Sequence, residues 1–169
     1  MEQRSVNRRN LMRTTGLAVA GAVGVTVAQA VPVAAAGFGF TPITPYRSID
    51  TRPIPGLGKL PSGSFDDWDV WTDEFGTPRI PQSAAAVTFN LTATATQGVP
   101  GFLTIYPAGQ PTPNVSTLNW VTVGADVANG GTVALGPSPA TGAGSVSVLC
   151  GGVPAAATHY IIDITGYYS

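Results

Sequence analysis

The sequence predicts an all-β protein, an antiparallel β-sandwich with a jelly-roll-like arrangement, after an N-terminal signal segment. Three observations carry that expectation. Only 10% of the 169 residues are charged while 44% are hydrophobic, and 21 Gly and 15 Pro punctuate the chain. Such a composition suits strands and turns and leaves little for the solvated faces of helices. Apolar and polar residues alternate over several stretches, the period of a half-buried strand. Those stretches are short and bounded by Gly or Pro, as in sandwiches and barrels.

The chain opens on an address. Asn7-Arg8-Arg9-Asn10-Leu11-Met12-Arg13 precedes an apolar run from Leu17 to Val25, a pattern that resembles the twin-arginine export signal. Ala28-Gln29-Ala30 and Ala34-Ala35-Ala36 both offer the small-x-small pattern that signal peptidases cut after. The second is favoured because Gly37-Phe38 begins the patterned region. Residues 1–36 are therefore expected to be a signal peptide and residues 37–169 a single domain, large enough for one core. A spanning helix needs about 20 strongly apolar residues, whereas this run is rich in Ala and Gly and is followed by Thr26 and Gln29. No stable membrane anchor is expected after cleavage. No cysteine follows the run, so a lipoprotein anchor is excluded, and an extracellular or cell-surface location is expected.

Beyond the signal, four cationic side chains (Arg47, Arg52, Lys59, Arg79) face eight carboxylates, a balance of −4. Nucleic-acid binding by counterion release needs a basic stripe, which this chain lacks. Cys150 is the only cysteine, so neither an internal disulfide nor a cysteine-rich zinc cluster is available.

Phe65 to Thr72 reads as a first strand, with Trp68 and Val70 on one face and Asp67, Asp69 and Trp71 on the other. From Ala85 to Ala95 the odd positions Ala85, Val87, Phe89, Leu91, Ala93 and Ala95 are apolar, with Thr88, Asn90, Thr92 and Thr94 between them. Gln97-Gly98-Val99-Pro100-Gly101 breaks that run and Phe102 to Tyr106 resumes it, which predicts a hairpin. Val115 to Val123, Thr132 to Leu135 and Ser145 to Cys150 are further strands, and the run from Leu135 to Ser145 is a loop. His159 to Tyr168 closes the chain, with Tyr160, Ile162 and Ile164 facing the core and His159, Asp163 and Thr165 facing away.

Five ordered segments carry a family likeness. Pro45-Tyr46-Arg47-Ser48-Ile49-Asp50-Thr51-Arg52, Ala86 to Thr92, Gly101 to Gly109, Ser116-Thr117-Leu118-Asn119-Trp120 and Ile161 to Tyr168 resemble, in order, the signature of a secreted β-rich module. That module is widespread in actinobacteria and some other bacteria, as tandem copies or attached to exported hydrolases such as cell-wall amidases and peptidases. The resemblance implies an extracellular accessory or surface domain without catalytic residues of its own. This chain departs from the pattern in its acidic, Trp-bearing segment from Asp66 to Glu74, and it is expected to carry no partner domain.

Asp50 and Arg52 are expected to form a structural pair at a corner. An aspartic-protease reading would pair Asp50 with Asp163, but Arg52 stands where a glycine is needed and would hold Asp50 ionised. Cys150 and His159 are expected to face one another if their strands form a hairpin, a weak thiolate-imidazole arrangement without an orienting third group; a small buried hydrophobe is the plainer role for Cys150. Trp71, Asp67 and Asp69 are the candidate ligand-binding residues, an indole for stacking on a sugar ring beside carboxylates. Calcium would need six to eight converging oxygens and a suitable loop, which the spacing lacks. The plainer reading is an edge strand whose acids discourage aggregation while Trp68 packs inward. Asn90, Asn119 and Asn129 are expected to bond backbone where strands bend. Asn90-Leu91-Thr92 and Asn114-Val115-Ser116 match the glycosylation acceptor pattern, which matters only in a host that modifies it; behind an export signal that resembles a bacterial one they are read as strand-edge polar residues. Together these features predict a non-catalytic module for cell-wall or extracellular polysaccharide, with no cofactor and no metal. A self-associating surface protein is the alternative, suggested by high apolar content and sparse charge; a Cys150/His159 hydrolase is a weaker one.

Overall fold

The computed structural model describes residues 39–138, 142 and 144–169. The segment read as a signal peptide, with both cleavage positions, lies outside the described residues. Ten strands are present: β1 (Phe40–Asp50), β2 (Leu60–Pro61), β3 (Phe65–Asp69), β4 (Ala86–Gln97), β5 (Gly101–Pro107), β6 (Leu118–Trp120), β7 (Val127–Ala134), β8 (Gly136–Pro137), β9 (Gly144–Gly152) and β10 (Ala157–Tyr168). One antiparallel sheet has the order β1-β10-β4-β7, with β2 against β10; the other has the order β3-β9-β5-β6, with β8 against β9. No helix occurs among the described residues.

The pairings follow one rule. β1 pairs with β10, β3 with β9, β4 with β7 and β5 with β6, so the first half of the domain pairs with the second half in reverse order. The domain is one long antiparallel hairpin, tipped by the segment between β5 and β6, whose successive rungs fall alternately into the two sheets. That is jelly-roll connectivity, and it makes the predicted β-sandwich a finding.

The same rule corrects two expectations. β4 and β5 do not form a hairpin, because they lie in different sheets. The turn between them packs on the 153–156 turn: a Cβ on Gly98, at φ +57°, would meet the Ala155 backbone at 2.4 Å. Likewise β9 and β10 belong to different sheets, so Cys150 and His159 do not face one another across a hairpin.

Between the sheets the core is built from alternate positions. Val87, Phe89, Leu91 and Ala93 of β4, Tyr160, Ile162 and Ile164 of β10, and Val146, Val148 and Cys150 of β9 are all buried, with Leu103 and Trp120 beside them. The β4 alternation breaks at its end. Ala95 sits at φ +52° and is exposed, whereas Thr96 is buried. The register against β10 slips there, a bulge that turns the following residues over.

β1 is missing from the sequence reading because Pro42 and Pro45 interrupt its pattern. Both are tolerated on a strand at the edge of its sheet, where one side makes no ladder. The expected strand 115–123 shrinks to β6, and the expected loop after Leu135 contains β8, paired with β9 through Gly136 and Ser145.

Candidate functional site

The outer side of the β1-β10-β4-β7 sheet carries a charged network at its β1 edge. Arg52 donates to Asp50 from its main-chain N–H and from Nε, and its Nη2 lies 2.6 Å from Oδ2. Arg47 donates through Nε to Asp163 at 3.0 Å and lies 3.4 Å from Asp50. The Arg52 hydrogen bonds hold the Asp50 carboxyl below its ordinary value, with Arg47 adding to the effect. Asp50 and Asp163 are thus bridged by the Arg47 guanidinium, and Asp50 is held ionised, the opposite of a proton-sharing dyad. Arg47 is the member that sequence reasoning missed, although it lies within the first family-like segment.

Of the three asparagines, Asn90 donates to Thr92 Oγ1 and Asn119 to Ser116 Oγ, side chain to side chain. Asn129 alone bonds backbone, donating to the Thr117 carbonyl at 2.7 Å. The expectation of backbone anchoring fails for Asn90 and Asn119 because both side chains find hydroxyl partners close by.

The acidic segment is a strand followed by a tight hairpin. Asp66 and Trp68 of β3 point between the sheets, since they pair with the buried Val148 and Val146. There the Trp68 indole N–H donates to the Tyr160 hydroxyl, which in turn donates to Asp66 at 2.7 Å. Asp67 is exposed and accepts from Ser147 Oγ. Trp71 differs from its expected role. It lies beyond β3, is half-buried against the core, and encloses its indole N–H without a hydrogen-bond partner. The chain leaves the strand pattern after Asp69, which turns the predicted outward position inward.

Cys150 and His159 also part company. Cys150 is wholly buried between the sheets, and burial pushes its thiol up to about 11. His159 lies on the outer side of β10, its Nδ1 3.2 Å from Thr51 Oγ1. No group of three or more His, Cys, Asp or Glu side chains among the described residues could hold a metal ion.

A shallow groove of about 530 Å³ opens instead on the outer side of the β3-β9-β5-β6 sheet. Phe102 and Leu149 form its floor with Val115, and Asn114, Ser116 and Asn119 stand at its rim. Phe102 lies opposite Gly151, and its ring comes so close that a Cβ on that glycine would meet it at 2.2 Å. The missing side chain is what lets the aromatic ring lie down on the sheet. No charged residue lines the groove. Sequence reasoning passed it over because its residues come from three separate segments. The one signal was compositional: residues 80–125 contain no Lys, Arg, Asp or Glu at all.

Fold and groove together define a jelly-roll β-sandwich with an uncharged, aromatic-floored surface site. No family model matches the chain, and no curated protein or solved structure matches it either.

Proposed function

We propose that the protein is an exported, non-catalytic binding module that holds a neutral cell-wall or extracellular polysaccharide in the groove beside Phe102. The observation that carries the reading is the pairing of a flat aromatic floor with a rim of amides and hydroxyls and no charge. A sugar ring has apolar faces that lie on such a floor, and hydroxyls around its edge that need partners able both to donate and to accept. Asparagine and serine side chains do both, and a mostly apolar lining with a few placed polar groups is the general form of ligand sites. The arginine pair Arg8-Arg9 supports export as a folded domain, which suits a chain without disulfides.

Retention on neutral polysaccharides and on peptidoglycan tests the reading. Phe102→Leu keeps an apolar cover over Gly151 but loses the flat face, and is expected to weaken retention about tenfold. Asn119→Ala is expected to weaken it as well, while Trp71→Phe binds like the parent. A protein that no polysaccharide retains, or retention unchanged in both groove variants, would overturn it.

Self-association is the second reading, and β7 is the observation that favours it. Among the described residues β7 pairs only with β4, and its sequence Val127 to Ala134 carries neither a charge nor a proline to guard the open edge. Sedimentation at high protein concentration separates the two: a strictly monomeric profile counts against association.

A further inference from the structure

A second cleft, also about 530 Å³, runs along β3 on the side of the molecule away from β7. Asp67, Asp69, Asp73 and Glu74 line it, together with Trp68, and no Lys or Arg does so. Two more of its lining residues are Ser48, in the irregular stretch of β1, and Ser145, opposite Asp69 on β9. Each serine is more than nine-tenths buried, and neither hydroxyl has a hydrogen-bond partner. A buried hydroxyl without a partner is costly, and these two sit in the wall of the same acidic cleft.

The carboxylates are held in place. Asp73 accepts from the main-chain N–H groups of Phe75 and Thr77, which fixes the hairpin after Trp71, and Arg79 lies 3.6 Å from it on one side. Asp67 accepts from Ser147. The Trp68 ring is locked by its bond to Tyr160. These acids do not converge on a point, because no three of them could grip one metal ion. A cleft lined by carboxylates and serines, with Trp68 beside them, fits a cation that brings its own bulk and several donors. An alkylammonium group has three N–H donors and no acceptor. It matches carboxylates and unpartnered hydroxyl oxygens, and an indole face attracts it further.

We propose that this cleft binds an organic ammonium ion, presented either by a free polyamine or by a lysine side chain. The site is separate from the Phe102 groove, and its ligand carries the opposite demand: charge instead of its absence.

Titration of the full chain with 1,4-diaminobutane, followed by amide and indole NMR signals, tests this. Saturable shifts are expected at the Trp68 indole and at the Ser48 and Ser145 amides, with none for 1,4-butanediol, which has the same length and no charge. Glu74→Gln and Asp67→Asn, both at exposed positions, are each expected to weaken binding about tenfold, while Phe102→Leu leaves it intact. Tighter binding of a lysyl tripeptide than of the diamine assigns the source to a protein chain, and the reverse assigns it to a free polyamine. Absence of shifts with either, equal shifts with butanediol, or saturation by calcium chloride at the same residues would overturn the proposal.

Discussion

Asp50, at the end of the edge strand β1, and His159, on the neighbouring strand β10, give the protein two separate responses to acid. The Asp50 carboxyl is lowered, first by the Arg52 hydrogen bonds, so its stabilising contribution is complete above about pH 4 and is lost as pH falls through the lowered folded value. His159 is lowered as well, by a different cause: burial, with Lys59 and Arg52 adding to it against Asp50, favours the neutral imidazole and brings it below its ordinary value. The folded state then resists protonation, so stability is full above about pH 6.5 and declines as pH drops from there toward the folded value. Urea midpoints measured from pH 8 to pH 3 are expected to fall in two stages, and His159→Asn to remove the upper one. A midpoint that stays flat from pH 7.5 to 5 in the parent protein would contradict the upper stage. Cys150 makes a simpler prediction. With its thiol raised and enclosed, a thiol-directed reagent at pH 8 is expected to label the protein only once denaturant unfolds it. At this scale the sequence was legible where partners are neighbours, as with Asp50 and Arg52. It was not legible where a partner comes from across the fold, as with Arg47 and Asp163 or Trp68 and Tyr160.

At the scale of the strand, two small residues decide geometry. Gly101 lies opposite Trp120, and a Cβ there would stand 2.2 Å from the indole ring. Gly101→Ala must push Trp120 or its strand aside, at a cost of about 1–3 kcal/mol by overpacking, read as a lowered urea midpoint with unchanged m-value. Ala95 occupies the left-handed region at φ +52° within the β4 bulge. Ala95→Gly relieves that backbone cost while adding freedom to the unfolded chain, and is expected to raise stability by up to about 1 kcal/mol, the reverse of the usual sign for a strand. The alternation of β4 and β10 was legible because burial on one face writes itself into every second residue. Their placement was not. Which sheet a strand joins depends on long-range pairing, and both the β4–β5 and the β9–β10 connections read locally as hairpins. The Phe102 groove was hidden for the same reason, since β5, β9 and the 112–116 segment meet only once the hairpin rolls up.

Across the whole molecule, charge is divided by sequence and hence by place. Every Lys and Arg of the described residues precedes residue 80, and after it only Asp126 and Asp163 carry full charge. The groove lies in the neutral part and the acidic cleft in the charged part. Retention on a neutral polysaccharide is therefore expected to be the same at roughly 0.05 and 0.5 M salt, while amine binding is screened. Salt-sensitive retention of the polysaccharide would show that the contact is not the uncharged groove. The class of fold was legible at this scale from composition alone, because a chain so poor in charge and so rich in Gly and Pro has few other ways to form a core.

Gly39 and Ser169 exchange main-chain hydrogen bonds, and Phe40 stands opposite Tyr168 at the head of the β1–β10 ladder. Both described ends therefore leave the sandwich at one pole. Tension applied between them would load that ladder from its first rung, peeling hydrogen bonds one after another instead of shearing many at once. Mechanically the domain is a zipper with both tabs at the same end. A pull that separates its two described ends therefore meets one rung at a time.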